Sequence, residues 1–217
     1  MNTMKKLAVT LWNFKGGVGK STIALVLAEI AAQQDLKVLA IDLDEQQNLA
    51  GALSLSQRTF PTLEVRTSFA PEFADEDFDF FVLDTHPAKN NSIKEAICFA
   101  DIVLVPVLCD YLSILNLRSV FSYLIETGLG NEQLVIIKNC VNALKTSTEV
   151  EHALDEHSYL SAGRLPRSNL LVRNIAEGNR WDKYMQGHQR NPFLALYANI
   201  WEAFSRMCSG KFHNVWK

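Results

Sequence analysis

Between Leu7 and Ala32 the chain passes through three textures in a fixed order. Leu7-Ala8-Val9-Thr10-Leu11-Trp12 is apolar, Asn13-Phe14-Lys15-Gly16-Gly17-Val18-Gly19-Lys20-Ser21-Thr22 is glycine-rich, and Ile23 to Ala32 is apolar and rich in alanine. Such runs form a strand, a tight loop and a helix. The glycines let the backbone curl so that successive N–H groups point inward, at the positive end of the helix dipole. That geometry takes up a phosphate. In loops of this kind the lysine at position 20 reaches the β- and γ-phosphates and the hydroxyl of Ser21 sits on a magnesium ion. The general pattern also asks for a glycine five residues before Gly19. Phe14 stands there, and a second lysine, Lys15, directly precedes Gly16-Gly17.

A chain of 217 residues fits one domain, residues 1–217, with room for a substantial core. No apolar run approaches the ~20 residues needed to cross a bilayer, and Met1–Lys6 leads straight into the first strand without the pattern of a signal peptide. The four cysteines, Cys98, Cys109, Cys140 and Cys208, are widely spaced. They read as reduced thiols of a cytoplasmic protein, packed as small apolar side chains, rather than as a metal site or disulfide framework. Formal charge is −3, so no global basic field advertises a nucleic acid. The distribution is uneven, with acids in Glu72–Asp79 and many of the basic residues, Arg164 to Lys217, in the last quarter.

Further apolar runs alternate with helix-compatible segments. Lys37–Asp42, Phe78–Asp84, Ile102–Val107 and Leu134–Ile137 read as buried parallel strands, and Tyr159–Ser161 as a short last one. Ser92–Phe99, Leu112–Thr127, Ser147–His157, Asn169–Gly178 and Pro192–Ser209 read as helices, while Leu53–Asp77, broken by Pro61 and Pro71, has no clear form. This alternation predicts an α/β fold, a mostly parallel twisted sheet with helices on both faces. Ligands of such sheets bind beyond the carboxyl ends of the strands. There the glycine loop, Asp42 and Asp84 would converge.

Lys-Gly-Gly-Val-Gly-Lys-Ser-Thr, residues 15–22, closely resembles the deviant Walker A loop of the ParA/MinD family of P-loop ATPases. Asp42-Leu43-Asp44-Glu45-Gln46 resembles that family's second motif, with Glu45 where proline is usual. Phe78–Asp84 followed by Thr85-His86-Pro87 resembles its Walker B strand, with His86 replacing a proline. The resemblance implies the P-loop NTPase fold, and ATP bound by Lys15, Gly16, Gly17, Val18, Gly19, Lys20, Ser21 and Thr22. It implies Mg²⁺ held by Ser21, Asp42 and Asp84, and catalysis by Lys20, by Asp44 acting on the attacking water, and by Lys15 reaching across a homodimer. Asn139, or alternatively Asn142, would read adenine, and Pro166 would flank the nucleotide.

The resemblance also implies a small ParA-type partition or positioning ATPase. ATP would drive a sandwich dimer that binds DNA without sequence preference, and hydrolysis stimulated by a centromere-binding, ParB-like or cargo-adaptor partner would reset it. Arg164, Arg167, Arg173 and Arg190 are the candidates for phosphate contacts. The expected location is the cytoplasm, on the nucleoid. A MinD-like membrane-cycling ATPase is one alternative, resting on the aromatic and basic residues of Ile200–Lys217. Their spacing fits an ordinary packed helix, so no membrane is expected as a partner. A nucleotide-gated scaffold with weak hydrolysis is the other.

Overall fold

The computed structural model describes residues 6–56, 60–141 and 160–209. The helix expected over Ser147–His157, the alternative adenine reader Asn142, and the chain end from residue 210 onward lie outside them. Seven strands form one sheet: β1 (Leu7–Leu11), β2 (Val38–Leu43), β3 (Leu63–Arg66), β4 (Phe80–Thr85), β5 (Ile102–Leu108), β6 (Leu134–Val141) and β7 (Ser161–Pro166). Their spatial order is β3-β2-β4-β1-β5-β6-β7, and every pairing is parallel. The helices are α1 (Lys20–Gln33), α2 (Asn48–Ser56), α3 (Asn91–Phe99), α4 (Tyr111–Glu126), α5 (Asn169–Ala176) and α6 (Gly187–Cys208).

Continuous apolar strands fit a sheet covered on both faces. Leu7, Val9 and Leu11 of β1 join a core built with α1, α2, α5 and α6. Ala8 packs on the opposite side, with Leu39, Ile41, Phe81 and Ala96, and α3 and α4 cover β5 there through Ile93, Ile97, Leu117 and Val120. Helix α1 is buried almost all round, which explains an apolar stretch with no polar stripe. Its Glu29 is fully buried and accepts the backbone N–H of Trp181 at 2.8 Å. In α6, Ile200 and Phe204 are buried while Trp201 and Met207 pack against the core, as the helical spacing of that segment predicts.

Three expectations need correction. The formless stretch Leu53–Asp77 contains the end of α2, the edge strand β3 and a 3₁₀ turn, Pro71–Asp75. With four residues, two of them charged, β3 gives little period-2 signal. Helix α6 begins at Gly187, before Pro192, because Gln189 Oε1 accepts the backbone N–H of Gln186 at 2.9 Å and caps the first turn. The cysteines are free, as expected, but Cys98 and Cys208 are exposed rather than packed.

A buried hydrogen bond ties α3 to the sheet beneath the site. Thr10 Oγ1 donates to Ala96 O at 2.8 Å. Thr10→Val keeps the side-chain shape and deletes this bond, leaving a buried carbonyl without its donor. Urea unfolding should register a loss of about 1 kcal/mol or somewhat more, with an unchanged slope.

Candidate nucleotide and magnesium site

The carboxyl edge of the sheet is where the loops carrying the predicted motifs emerge. In the strand register, Leu11 lies opposite Asp84 and Asp42 opposite the same Asp84. The glycine loop therefore leaves β1 directly beside the two carboxylates. Gly17 and Gly19 have φ of 72° and 94°, conformations that suit glycine. Gly19 is the N-cap of α1, so the loop ends on a helix N-terminus with free N–H donors.

The loop is braced from both sides. Asn13 Nδ2 donates to Pro106 O at 2.8 Å, and Asn13 Oδ1 accepts the Lys15 N–H at 3.0 Å. From β6, Asn139 Nδ2 donates to Val18 O at 2.7 Å and Asn139 Oδ1 accepts the Cys140 N–H at 2.9 Å. A Cβ on Gly19 would run into the Asn139 amide. The structure thus gives Asn139 a bracing contact with the glycine loop. Pro166 ends β7, paired with Val141.

The two lysines of the loop point to different places. Lys20 is buried, and its Nζ approaches Lys15 O at 3.4 Å. Burial lowers its pKa, while the carboxylates of Asp84 and Asp44 oppose that shift. Lys15 instead carries its Nζ to Asp110 Oδ2 at 2.9 Å and Ser113 Oγ at 3.0 Å. Asp110 caps α4, accepting the Ser113 N–H at 2.8 Å. Burial pushes the Asp110 carboxyl up, but Lys15 and Ser113 outweigh it and hold the group below the ordinary range. Asp110 and Ser113 were not among the expected site residues. An Asp just before a helical apolar run is a cap signal and was the available clue.

Asp84 is fully buried, and neither carboxylate oxygen has a hydrogen-bond partner among the described residues. Burial pushes its pKa up to about 7. The Ser21 hydroxyl, close by but outside hydrogen-bond geometry, and Lys20 pull it down, while Asp42 and Asp44 push it up. Asp42 is different. Its Oδ1 accepts the Asp44 N–H at 3.0 Å and its Oδ2 the Ala50 N–H at 2.9 Å, so it shapes the loop between β2 and α2. Asp44 is half-buried and turns that loop through its Oδ1, which accepts the Gln46 N–H at 3.0 Å. Asp42, Asp44, Glu45, Thr67, His86 and Asn90 line one cavity of about 400 Å³. Both departures from the motifs, Glu45 and His86, therefore face the same space.

An orphaned carboxylate, an adjacent hydroxyl and a cradle of N–H donors fit a magnesium–polyphosphate. Oxygen ligands suit the cation, and magnesium takes one or two carboxylates together with phosphates rather than an all-protein cage. Among the described residues no cluster of three or more His, Cys, Asp or Glu could hold a metal by itself. Arg164 and Arg167 are exposed at the end of β7, Arg173 pairs with Glu177 at 2.8 Å, and Arg190 lies 3.6 Å from Asp182.

With a folded-state pKa near 7 against an ordinary 3.8, nucleotide-free protein retains a proton on Asp84. The stability this protonation confers is complete below about pH 4 and fades as pH rises to about 7. A magnesium ion held by Asp84 would require its ionised form. Affinity for Mg²⁺–nucleotide should therefore rise up to about tenfold per pH unit below 7 and level off above it. Fluorescent-nucleotide titrations between about pH 6 and 8 measure this, and Asp84→Asn should flatten the slope.

Comparison with known proteins agrees with this geometry. The family model described as the CobQ/CobB/MinD/ParA nucleotide binding domain matches residues 9–181. The chain is 25% identical to the chromosome-partitioning ATPase Soj of Thermus thermophilus, over 83% of this chain and 87% of that protein. It is 26% identical to the virulence plasmid ParA family protein pGP5-D of Chlamydia muridarum, over 57% of this chain and 63% of the other. Among solved structures, a plasmid partition protein of Borrelia burgdorferi bound to AMPPNP superimposes with a TM-score of 0.73 at 20% identity, covering 94% of this chain and 100% of that one. The MinD cell division protein of Aquifex aeolicus gives 0.75 at 18% identity, covering 90% and 97%. With a family match over this span and the phosphate loop, buried aspartate and parallel sheet in place, the chain belongs to the CobQ/CobB/MinD/ParA nucleotide-binding family.

Proposed function

We propose that this protein is a magnesium-dependent ATPase of the partition or positioning kind, switched between monomer and dimer by ATP and its hydrolysis. The observation that carries the reading is the division between the two loop lysines. Lys20 lies inside its own site, whereas Lys15 leaves the loop and ends on the cap of α4. A lysine on the rim can serve a neighbouring subunit's phosphates as an inner one cannot. Beside Asp110, the first turns of α4 expose Tyr111, Leu112 and Leu115 at 68%, 66% and 57%. An apolar patch next to an exported cation suits contact with a second copy of this chain.

Phosphoryl transfer depends on positioning and charge neutralisation more than on covalent chemistry. The N–H groups of residues 16–21 and Lys20 would hold the β- and γ-phosphates. Ser21 and Asp84 would hold Mg²⁺, with Asp42 shaping the adjacent loop. A magnesium ion held there would supply charge neutralisation for the transferred phosphoryl group. Asp44 would accept a hydrogen bond from the attacking water, and Lys15 of the second copy would complete the cationic set. Adenine would lie over the ends of β6 and β7 near Pro166, with Asn139 bracing the loop and facing the base. In the dimer, Arg164, Arg167, Arg173 and Arg190 would contact DNA phosphates without reading sequence, as part of a cytoplasmic, nucleoid-associated cycle. A ParB-like or cargo-adaptor partner would stimulate turnover.

A second reading rests on Glu45 and His86. Both line the cavity that Asp44 faces, and an added carboxylate near a polyphosphate works against the γ-phosphate. The chain would then be a nucleotide-gated scaffold with weak hydrolysis. Lys20→Ala should abolish nucleotide binding under either reading. Asp44→Ala separates them: sedimentation should find it trapped as an ATP dimer with turnover lost, and a variant indistinguishable from wild type would remove Asp44 from catalysis.

Duplex DNA of arbitrary sequence tests the cargo side. Binding should require ATP–Mg²⁺, be absent with ADP, and weaken roughly a hundredfold between about 50 and 200 mM salt for about four phosphate contacts. Normal ATP dimers without DNA binding would overturn the partition reading and direct attention to liposomes.

A further inference from the structure

Three elements meet beneath Lys15 through a cluster of rings. Trp12 is fully buried and packs edge-on against Phe14, with centroids 4.4 Å apart. Tyr123 of α4 closes the group, 4.8 Å from Trp12 and 5.6 Å from Phe14. Onto this box the loop after β4 lays Lys89. Its Nζ stands 4.4 Å from the Phe14 centroid and 4.5 Å from that of Tyr123. The same loop is held a second time, by Trp12 Nε1 donating to Ala88 O at 3.4 Å. Among the described residues Lys89 makes no ion pair with a carboxylate.

The placement of these contacts is what gives them consequence. Phe14 immediately precedes Lys15, and Lys89 lies five residues beyond Asp84, in the segment that carries His86. Tyr123 belongs to the helix whose cap, Asp110, receives the Lys15 ammonium. One cation therefore joins the loop that follows Asp84 to the residue beside Lys15. A ring face holds a cation by its quadrupole and tolerates sliding, so the link transmits position without locking it.

We propose that Lys89 is a positioning residue for Lys15, holding the turn at Phe14 so that the Lys15 ammonium is presented at the rim. This rests on the reading of Lys15 as the residue that serves a second copy. Lys89 is exposed, so its replacement leaves the core intact.

The test uses the full chain with Lys89→Met, which keeps length and apolar packing but loses the charge, and Lys89→Arg, which keeps a cation for the rings. Three quantities are read: affinity for a fluorescent ATP analogue with Mg²⁺, turnover per dimer, and amide hydrogen exchange over Phe14–Gly17. Lys89→Met should bind nucleotide within about twofold of wild type, turn over about tenfold more slowly and exchange those amides faster. Lys89→Arg should restore both turnover and exchange. Unchanged turnover and exchange in Lys89→Met would overturn the proposal. So would a fall in nucleotide affinity matching the fall in turnover without rescue by arginine, the mark of a merely structural contact. Wild-type turnover that does not rise with protein concentration would remove the dimer reading itself, and this inference with it.

Discussion

A buried carboxylate without a partner is the constraint around which the carboxyl edge of this sheet is organised. Asp84 is surrounded by β1, β2 and β4, and water does not reach it. An unpaired charge in such a place costs several kcal/mol, so burial pushes the group's pKa up to about 7 and favours its protonated form below that pH. Lys20 cannot offset that cost alone, being itself penalised by burial. In the proposed reading, a magnesium ion held together with a polyphosphate would relieve that cost.

Much of this was legible in the residues. The glycine loop, its two lysines and the helix that follows announce themselves by order and spacing, and the apolar strands ending in Asp42 and Asp84 place those acids at one edge. What the sequence could not convey were contacts made by packing. Asp42 stands at a position suited to a metal ligand, and its oxygens also accept backbone N–H groups, from Asp44 of the loop and from Ala50 in the first turn of α2. Asn139 braces Val18 across more than a hundred residues of chain, a distance that no local pattern encodes. Strand β3 was hidden because an edge strand of four residues is specified by its neighbours more than by its own periodicity.

The same contrast separates Lys15 from Lys20. Both stand in one glycine loop, and residue type alone does not distinguish them. Their difference comes from what surrounds each: a dry pocket behind one, a helix cap and an exposed apolar turn beside the other. Asn13, Asn139 and the Trp12–Phe14–Tyr123 rings hold the loop between β5, β6 and α4. The lysines thus diverge from a backbone that is fixed at several points.

At the opposite end of the sheet order, Arg66 of β3 grips Glu76 with two bonds, at 2.6 and 2.7 Å, reaches Glu64 at 2.6 Å, and lies over the ring of Phe73 at 4.5 Å. Charged and covered side chains of this sort blunt an edge strand against pairing with another sheet. Two sheets joined by backbone ladders would stay joined whatever filled the glycine loop. With that route obstructed on the β3 side, an association of copies of the kind proposed above would run through side chains and loops, contacts that can come and go with their occupants. An unassuming salt-bridged edge would in this sense be a precondition for a reversible dimer.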